Sequence, residues 1–391
     1  MSDNERASSY NRPMYKPKVA LVHDYLIQYG GGEKTLEALI QLYPEAPIVT
    51  SIYKPKNMSE LINSKKIMHR SNFLLSSFSK YLTFLIPIIF ESFDLNEYDI
   101  IISDSASYAK GVLTNPDQLH ISYIHTPPRF LYGYSFESAK RNAWYFKPFV
   151  MVIDALLRTW DFGAAQRPDY LLANSIETQK RIKKFYKRAS TVIYPPMDVI
   201  HETPTVKNNF EKPYYVALGR LVAYKNFDLV VEAFNMMELD LVVIGTGNEE
   251  KKLKRIANKN VKFVGQVDDL TKHNLLANCL GVINPVKDED LGIVPVEAMS
   301  HGKPVLAHKS GGHLETIIDG VTGQFFEELS IENLIERIKE FDTKIRNKEF
   351  DPETIIIHSQ KFSTQKFKTE IKEFVDEKWE SLVQKNSATQ E

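Results

Sequence analysis

The sequence has little of several features that mark whole classes of protein. Among its 391 residues there is one cysteine, Cys279, so no internal disulfide can form and the chain fits a reducing compartment. The apolar neighbours of Cys279 predict a buried, packed side chain. No apolar run reaches the roughly 20 residues that span a bilayer. A formal net charge of -1 gives no general argument for a nucleic-acid partner.

What is present is typical of a globular protein. The hydrophobic fraction is 43% and the charged fraction is 25%, which is enough apolar material for two cores in a chain of this length. The amino-terminal stretch "MSDNERASSYNRPMYKPK" is polar and is not a signal peptide. We expect it to be disordered.

Short apolar runs alternate with helical patterns along the whole chain. "KVALVHDYL", "DIIISDS" and "HISYIHTPP" are examples in the first half, and "PYYVALGRL", "DLVVIGTG" and "PVLAHKSGG" in the second. This alternation predicts βαβ units with parallel sheets, and so an α/β fold.

The pattern stops and restarts around a stretch rich in proline and polar residues. We therefore predict a tail at 1–17, an amino-terminal Rossmann-like domain at 18–198 and a linker at 199–212. A second Rossmann-like domain follows at 213–365, and a charged amphipathic helix and tail at 366–391 close the chain. Ligands of open α/β sheets bind beyond the carboxyl ends of the strands, so the loops there are the candidate site.

The stretch "KDEDLGIVPVEAMSHGKPV" places two glutamates eight positions apart, after the predicted strand "GVINP". Glu289 would lie in a loop at the cleft, and Glu297 in the first turn of a helix at 294–301. Each carboxylate accepts several hydrogen bonds, which suits a ligand rich in hydroxyl groups. The alternative is a solvated acidic loop and a helix charge favoured by the dipole.

Cations and glycines occupy other strand ends. Arg220 and Lys225 in "ALGRLVAYKN" precede a helix and would suit a diphosphate, or would be ordinary surface charges. The glycines of "YGGGEK", including Gly31 and Gly32, and those of "KSGGHLE" would let backbone N–H groups approach an anion, or would form plain turns. "VIGTGNEEKK" has Glu250 where a dinucleotide fingerprint needs glycine.

Two further signals are weaker. His125 in "SYIHTPPRF" ends a strand and could donate to a substrate hydroxyl, although a lone histidine there is more often structural. The "DED" at 288–290 matches an Asp-x-Asp metal motif formally, but three acids in a surface loop are common. We expect neither a metal ion nor a cofactor.

Taken together, these stretches resemble glycosyltransferase family 4, whose members are retaining enzymes of the GT-B fold. The resemblance spans nearly the whole ordered chain and is strongest in "EDLGIVPVEAMSHGKPV" and "SGGHLETIIDGVTGQFF". "GRL" with Lys225 matches the diphosphate clamp of the family, and "FVGQV" matches its base-contacting segment. Leu291 stands where the family usually has Phe. "HDYLIQYGGGEK", "YIHTPPRFLYGY" and "TWDFGAAQRPDYLLANS" resemble a subgroup of bacterial polysaccharide mannosyltransferases.

The resemblance implies a role for each matching position. Arg220 and Lys225 would neutralise the leaving diphosphate, with Gly219 beside them, and Glu297 would hold the ribose hydroxyls. Glu289 would hold the donor sugar, and His125 would contact that sugar near the reacting carbon. The remaining donor-binding positions contribute backbone: Gly31, Gly32, Gly265, Val267, Leu291, Gly292 and Ile293.

The resemblance also implies the substrates and the location. GDP-mannose is the favoured donor, with a UDP-sugar as the runner-up, and the acceptor would be a glycan or lipid-linked oligosaccharide in lipopolysaccharide or other surface polysaccharide synthesis. The protein would be cytoplasmic, with residues 73–90 either on the membrane surface or forming core helices. A sugar-nucleotide epimerase, a nicotinamide oxidoreductase and a non-catalytic binding protein are the competing interpretations.

Overall fold

The computed structural model of the protein describes residues 16–70, 85–133, 147–197 and 212–389. Residues 1–15 of the predicted tail and residues 199–211 of the predicted linker lie outside the described residues. So do positions 73–84 of the proposed surface segment.

Two parallel β-sheets organise the chain. The first has seven strands in the order β3-β2-β1-β4-β5-β6-β7. Its strands are β1 (Val19–His23), β2 (Ile48–Thr50), β3 (Ile67–His69), β4 (Ile100–Ser105), β5 (Leu119–Ile124), β6 (Tyr170–Ala173) and β7 (Thr191–Val192).

The second sheet has six strands in the order β10-β9-β8-β11-β12-β13. Its strands are β8 (Tyr214–Leu218), β9 (Asp240–Ile244), β10 (Val261–Gly265), β11 (Val282–Asn284), β12 (Val305–His308) and β13 (Gly323–Phe326). The prediction of an α/β fold with two parallel sheets is confirmed.

Helices connect the strands on both halves. In the first half they are Gly31–Leu42, Glu60–Asn63, Ile86–Glu91, Arg129–Tyr132, Lys147–Ala164 and Ile176–Phe185. In the second half they are Phe227–Asn235, Glu250–Ile256, Asp269–Asn278, Ile293–Met299, His313–Thr316, Ile331–Arg346, Pro352–Ser359 and Thr364–Thr389.

The sequence explains why the central strands are buried. β1 is apolar up to its last residue and β4 begins with three isoleucines, and every residue of β4 and β5 is buried, as expected of parallel strands that are covered on both faces. Side-chain caps begin several helices: the Ser175 hydroxyl accepts from the Thr178 N–H at 3.0 Å, and the Asp268 carboxylate from the Thr271 N–H at 2.7 Å. Cys279 is 2% exposed and packs in the second core, as predicted.

The carboxyl-terminal helix Thr364–Thr389 returns to the first half of the molecule. Phe367, Ile371 and Val375 are each 1% exposed and belong to the hydrophobic core of the amino-terminal sheet. Met197 and Ser363 form a β-bridge where the chain crosses between the halves. The helix therefore ties the two Rossmann-like units together with about one apolar residue per turn.

The proposed surface segment is described only at its end. In Ile86–Glu91, the side chains of Ile86, Ile89 and Phe90 pack in the amino-terminal core, while Ile88 is exposed. This part of the segment fits the core-helix alternative. Over the described ranges of the chain, each helix is too short or too polar to cross a bilayer.

Candidate active site

A cation and a carboxylate meet at the carboxyl ends of the second sheet. Lys225 lies in the one-turn helix that follows β8, and its Nζ is 3.8 Å from Oε1 of Glu289 in the loop after β11. A Cβ placed on Gly219 would lie 3.7 Å from the same Nζ. Both charged side chains are mostly buried, so their attraction is less screened than that of a surface pair. Two of the predicted site residues are therefore brought together.

Arg220 lies two residues after β8 and is exposed. Its charge acts on Tyr25, in the loop after β1. Burial raises the pKa of the Tyr25 hydroxyl to about 12, the Asp24 and Glu33 carboxylates add to the rise, and the positive charge of Arg220 opposes it. Arg220 thus places its charge at the boundary between the two sheets.

Three glycines stand side by side at the ends of β8, β9 and β10. The Gly245 N–H donates to the carbonyl of Gly265 at 2.8 Å, and a Cβ on Gly245 would lie 2.0 Å from the carbonyl oxygen of Gly219. Gly265 has φ +73 and no neighbour where its Cβ would be, so this strand end opens on space. Val267 is half-buried against the second core. These positions form one wall beside Lys225.

The loop after β11 is shaped by the glycines at 311 and 312. A Cβ on Gly312 would lie 2.2 Å from the Cα of Leu291, and the Gly312 N–H donates to the carbonyl of Glu289 at 2.9 Å. The anion-binding role predicted for this glycine pair is therefore wrong for Gly312, whose N–H is already bonded. The pair instead lets two loops touch backbone to backbone, which sets the position of Glu289.

The other end of the same loop rests on His313. Gly292 has φ +92, and a Cβ there would lie 2.9 Å from the His313 ring, so both the backbone and the space favour glycine. Burial lowers the pKa of His313, and its neutral ring bonds to Asn284 at 3.2 Å and the carbonyl of His308 at 2.9 Å. Leu291 is buried in the second core, and Ile293 begins the following helix and is partly exposed.

Glu297 has a partner that sequence reasoning missed. Its Oε1 is 3.0 Å from the Nζ of Lys272, which also lies 2.9 Å from Asp269. We predicted Glu297 in the first turn of its helix. The helix runs from Ile293 to Met299, so Glu297 is its fifth residue and lies beyond the first turn. The helix begins directly after Gly292, whose φ is positive, whereas the position of Pro295 led us to predict a start at residue 294. Lys272 is a single lysine in the stretch "DDLTKHNLLAN", which gave no distinct signal for it.

The amino-terminal half contributes glycines that touch the opposite half. A Cβ on Gly31 would lie 3.1 Å from Cδ1 of Ile293, so the loop after β1 packs directly against the start of the helix that carries Glu297. A Cβ on Gly32 would lie 3.5 Å from the His23 ring and 3.8 Å from Nε2 of His125. Gly32 and His125 therefore lie close together, and Gly31 lies against the second half of the molecule.

His125 belongs to a buried cluster that sequence reasoning also missed. Its Nε2 is 2.6 Å from Oδ1 of Asp104, and the other oxygen of Asp104 is 2.8 Å from Nδ1 of His23. Nε2 of His23 lies 3.6 Å from Glu33. The position of Asp104, next to last in "DIIISDS", places it at a strand end, where it could have been predicted as a site residue.

The charges of this cluster support one another. Burial alone would lower the pKa of His125, but the Asp104 carboxylate raises it. Burial also disfavours charge on His23, yet hydrogen bonds to Asp104 and Glu33 raise its pKa to about 10. Burial likewise opposes charge on Asp104, but the two imidazoles lower its pKa to about 2. The contact with Asp104 therefore favours the protonated form of His125.

This linkage predicts how stability depends on pH. The pKa of His23 is about 10 in the folded protein and 6.5 ordinarily, so its contribution is complete below pH 6.5 and is lost as the pH rises through about 10. At about 1.4 kcal/mol per pKa unit, the free energy of unfolding should fall by a few kcal/mol over that range. Urea unfolding at several pH values measures the fall. A His23→Gln variant should show a flatter profile, and parallel profiles would contradict the assignment.

The contact between the glycines and the Glu289 loop predicts a stability difference between two glycine substitutions. Gly312→Ala should lower the free energy of unfolding by about 1–3 kcal/mol, because its Cβ would meet backbone atoms that cannot yield cheaply. Gly163→Ala is the matched control, since nothing lies within 4 Å of its Cβ and it is helical. Thermal unfolding compares them. Equal midpoints for the two variants would count against the close loop contact.

Comparison with known proteins places these features in context. Residues 200–349 match the family model described as glycosyl transferases group 1. In solved structures, the chain is similar to Anabaena Alr3699/HepE in complex with UDP and glucose, with a TM-score of 0.68 and 20% identity over 92% of this chain and 100% of that one. The fold is GT-B. That match confirms the fold expected from the resemblance.

Curated relatives add sequence similarity over part of the chain. The alpha-1,3/1,6-mannosyltransferase ALG2 of Kluyveromyces lactis is 27% identical over 58% of this chain and 53% of its own length. A GDP-mannose-dependent alpha-(1-6)-phosphatidylinositol monomannoside mannosyltransferase of Mycobacterium tuberculosis is 31% identical over 33% of this chain and 38% of its own length. The chain spans 50% to 64% of the curated relatives it matches first. The family model and both of these relatives are described as transferases of sugars, and the match to the solved structure shows the fold alone.

Proposed function

We propose that the protein is a retaining glycosyltransferase that moves mannose from GDP-mannose to a hydroxyl group of a glycan acceptor. The observation that carries this proposal is the pairing of Lys225 with Glu289 at 3.8 Å, beside the bare backbone of Gly219. A cation suited to a diphosphate therefore lies next to a carboxylate suited to sugar hydroxyls. The similarity to proteins named as mannosyltransferases supports the choice of sugar.

The chemistry of the transfer matches this arrangement. Breaking the bond between the sugar and the diphosphate leaves negative charge on the diphosphate and positive charge on the sugar carbon. Lys225 and Arg220 would stabilise the first, and fixed cations need no reorganisation as the charge develops. Glu289 would bind hydroxyl groups of the donor sugar through charge-assisted hydrogen bonds. His125, whose protonated form is favoured by its contact with Asp104, would donate to the sugar or the departing phosphate.

The remaining predicted residues would hold the nucleoside. Glu297 would accept from the ribose hydroxyls, because a carboxylate has room for several hydrogen bonds besides the one from Lys272. The backbone at Gly265 and Val267 would contact the base. Attack by the acceptor hydroxyl on the face that the diphosphate leaves would keep the configuration of the sugar carbon. In this proposal the donor binds with neither a metal ion nor a cofactor.

The proposal extends to the biological setting. The acceptor would be a lipid-linked glycan in the synthesis of a bacterial surface polysaccharide such as lipopolysaccharide. The protein would act in the cytoplasm, peripherally at the inner face of the membrane. These steps follow from the subgroup resemblance of the amino-terminal motifs.

A second candidate is a transferase that uses a UDP-sugar. It is favoured by the similarity over 92% of the chain to HepE, whose structure contains UDP and glucose. The two candidates share the roles of Lys225 and Glu289 and differ in the base and the sugar.

A donor screen separates them. The purified protein is incubated with GDP-mannose, GDP-fucose, UDP-glucose and UDP-galactose in the presence of a chelator, and release of nucleoside diphosphate is measured. We expect GDP release from GDP-mannose. Release confined to UDP-sugars would establish the second candidate. No release from any donor, with or without added acceptor lipid, would refute both.

A further inference from the structure

The loop that carries Glu289 is held from the opposite half of the molecule. Oδ1 of Asp290 is 2.7 Å from a guanidinium nitrogen of Arg129 and also contacts Arg181. Both arginines donate to the carbonyl of Asp288 as well, at 3.2 and 3.3 Å. The residues on either side of Glu289 are thus fixed by two side chains of the amino-terminal domain.

One of these arginines also reaches the loop that carries His125. A guanidinium nitrogen of Arg181 donates to the hydroxyl of Thr126 at 3.2 Å. Thr178, on the same helix as Arg181, donates from its hydroxyl to the carbonyl of His125 at 3.1 Å. A short chain of contacts therefore joins His125 to Glu289 through a single side chain.

Arg181 is well suited to serve as a rigid spacer. It is 3% exposed, and a further nitrogen lies 3.2 Å from Glu177 one turn earlier on the helix. A planar guanidinium with several partners has one orientation, unlike a solvated lysine. Because the side chain cannot swing, a shift of Asp290 would need a shift of the helix Ile176–Phe185.

The backbone of the loop is consistent with external control. Asp288 has φ +59, a conformation that a residue with a side chain adopts uncommonly and keeps only where its surroundings determine it. Here the surroundings include the two arginines that bond to its carbonyl. The turn that presents Glu289 is therefore stabilised in part by the facing domain.

We propose that Asp290 is a positioning residue. It holds Glu289 in a fixed place relative to His125 only when Arg129 and Arg181 of the facing domain bind it. The inference rests on the proposed function, which gives Glu289 and His125 their roles at the donor sugar. It adds that the donor-sugar site is completed by contact between the domains. When the domains separate, the loop 288–292 loses these bonds and Glu289 loses its fixed place.

A second contact between the domains supplies a control. The Glu315 carboxylate accepts from the N–H groups of Ile176 and Glu177 at 2.7 and 2.8 Å. These two bonds join the helix Ile176–Phe185 to the second domain, and neither of them involves the loop that carries Glu289. If Asp290 merely holds the domains together, loss of Glu315 should have the same consequence as loss of Asp290.

The test compares Asp290→Ala, Asp290→Asn and Glu315→Ala with the wild type. We expect Asp290→Ala to lower kcat by about 10–100-fold with little change in KM, since a displacement of about 1 Å at a reacting group costs up to about 10² in rate. Asp290→Asn should recover part of this, because an amide oxygen still accepts from both arginines. The kcat of Glu315→Ala should stay within about threefold of the wild-type kcat, because its bonds do not involve the Glu289 loop and no reacting group is displaced. Equal losses in Asp290→Ala and Glu315→Ala, or an unchanged kcat in Asp290→Ala, would overturn the inference.

A readout without turnover keeps this test separate from the proposed function. Spin labels on Lys56→Cys in the first domain and Lys287→Cys beside the loop 288–292, both exposed, report the place of that loop against the facing domain, since Cys279 is buried. With GDP bound, the Asp290→Ala background should give a longer or broader distance distribution than the wild-type background. If no donor is turned over, the proposed function fails, and these distances still decide the inference: identical distributions would refute it.

Discussion

Replacing Lys225 with alanine is expected to slow nucleoside diphosphate release by about 10²–10³-fold, the usual cost of removing one group that stabilises developing charge in a closed site. Lys225 is mostly buried, and its Nζ lies beside Gly219, 3.7 Å from where a Cβ on that glycine would be. No other described contact of Glu289 supplies the same charge at that point. The measurement is the initial rate with saturating GDP-mannose.

The control for this prediction is Lys252→Ala. Lys252 lies in the same domain, is more than half exposed, and pairs with Asp228 and Glu249 at the surface. Surface pairs of this kind contribute little, so the rate should be unchanged. Lys225→Arg should retain more activity than Lys225→Ala, since it keeps the charge. Equal rates for Lys225→Ala and the wild type would remove Lys225 from the diphosphate site.

Replacing Glu289 with glutamine is expected to reduce kcat/KM by about 10²-fold or more. A hydrogen bond to a charged group is worth roughly 1.5–3 kcal/mol, and the variant loses the charge at more than one sugar hydroxyl. The shape of the side chain is kept, so the loop fixed by Gly312 and Asp290 should not move. Initial rates over a range of donor concentrations give the ratio.

Glu327→Gln is the matched control for Glu289. Glu327 is a surface carboxylate in the same domain, paired with Lys309. We expect its kcat/KM to equal that of the wild type. If Glu289→Gln behaves like Glu327→Gln, the carboxylate at position 289 does not bind the sugar, and the alternative of a solvated acidic loop is correct.

Local patterns were sufficient to predict the fold. The apolar runs of β1, β4 and β8, and the glycines that follow β1 and β8, predict parallel strands whose loops gather at one edge. They do not give the strand order, because every buried strand looks alike from its own sequence. The strand β3, with intermediate burial and only three residues, carried too weak a pattern to be predicted.

The carboxyl-terminal helix shows a different limit. Its amphipathic pattern predicted a helix that buries one face, and the structure buries Phe367 and Ile371. The pattern does not say which of two similar domains that face meets. The return to the amino-terminal core is set by the crossing near Met197 and Ser363, which joins residues far apart in sequence.

Candidate site residues could be predicted from the sequence where several of them stand together in one short motif. The pair Glu289 and Lys225 came from two separate motifs, and the structure brings them to 3.8 Å. Asp104, Lys272, Arg129 and Arg181 were missed because each is a single charged residue to which its own stretch gives no role, even where that stretch was singled out, as for Arg129 in "YIHTPPRFLYGY". Their importance comes from partners such as His125 and Asp290, between 21 and 161 positions away, which only the folded chain brings within reach.

Titration calorimetry of GDP into the protein, with a chelator present, tests the central claim most directly. The account predicts binding at one site in the wild type, and at least about tenfold weaker binding when both Arg220 and Lys225 are replaced by alanine, since charge-assisted bonds to phosphate oxygens are lost. Binding of equal strength in the wild type and the double variant would contradict it.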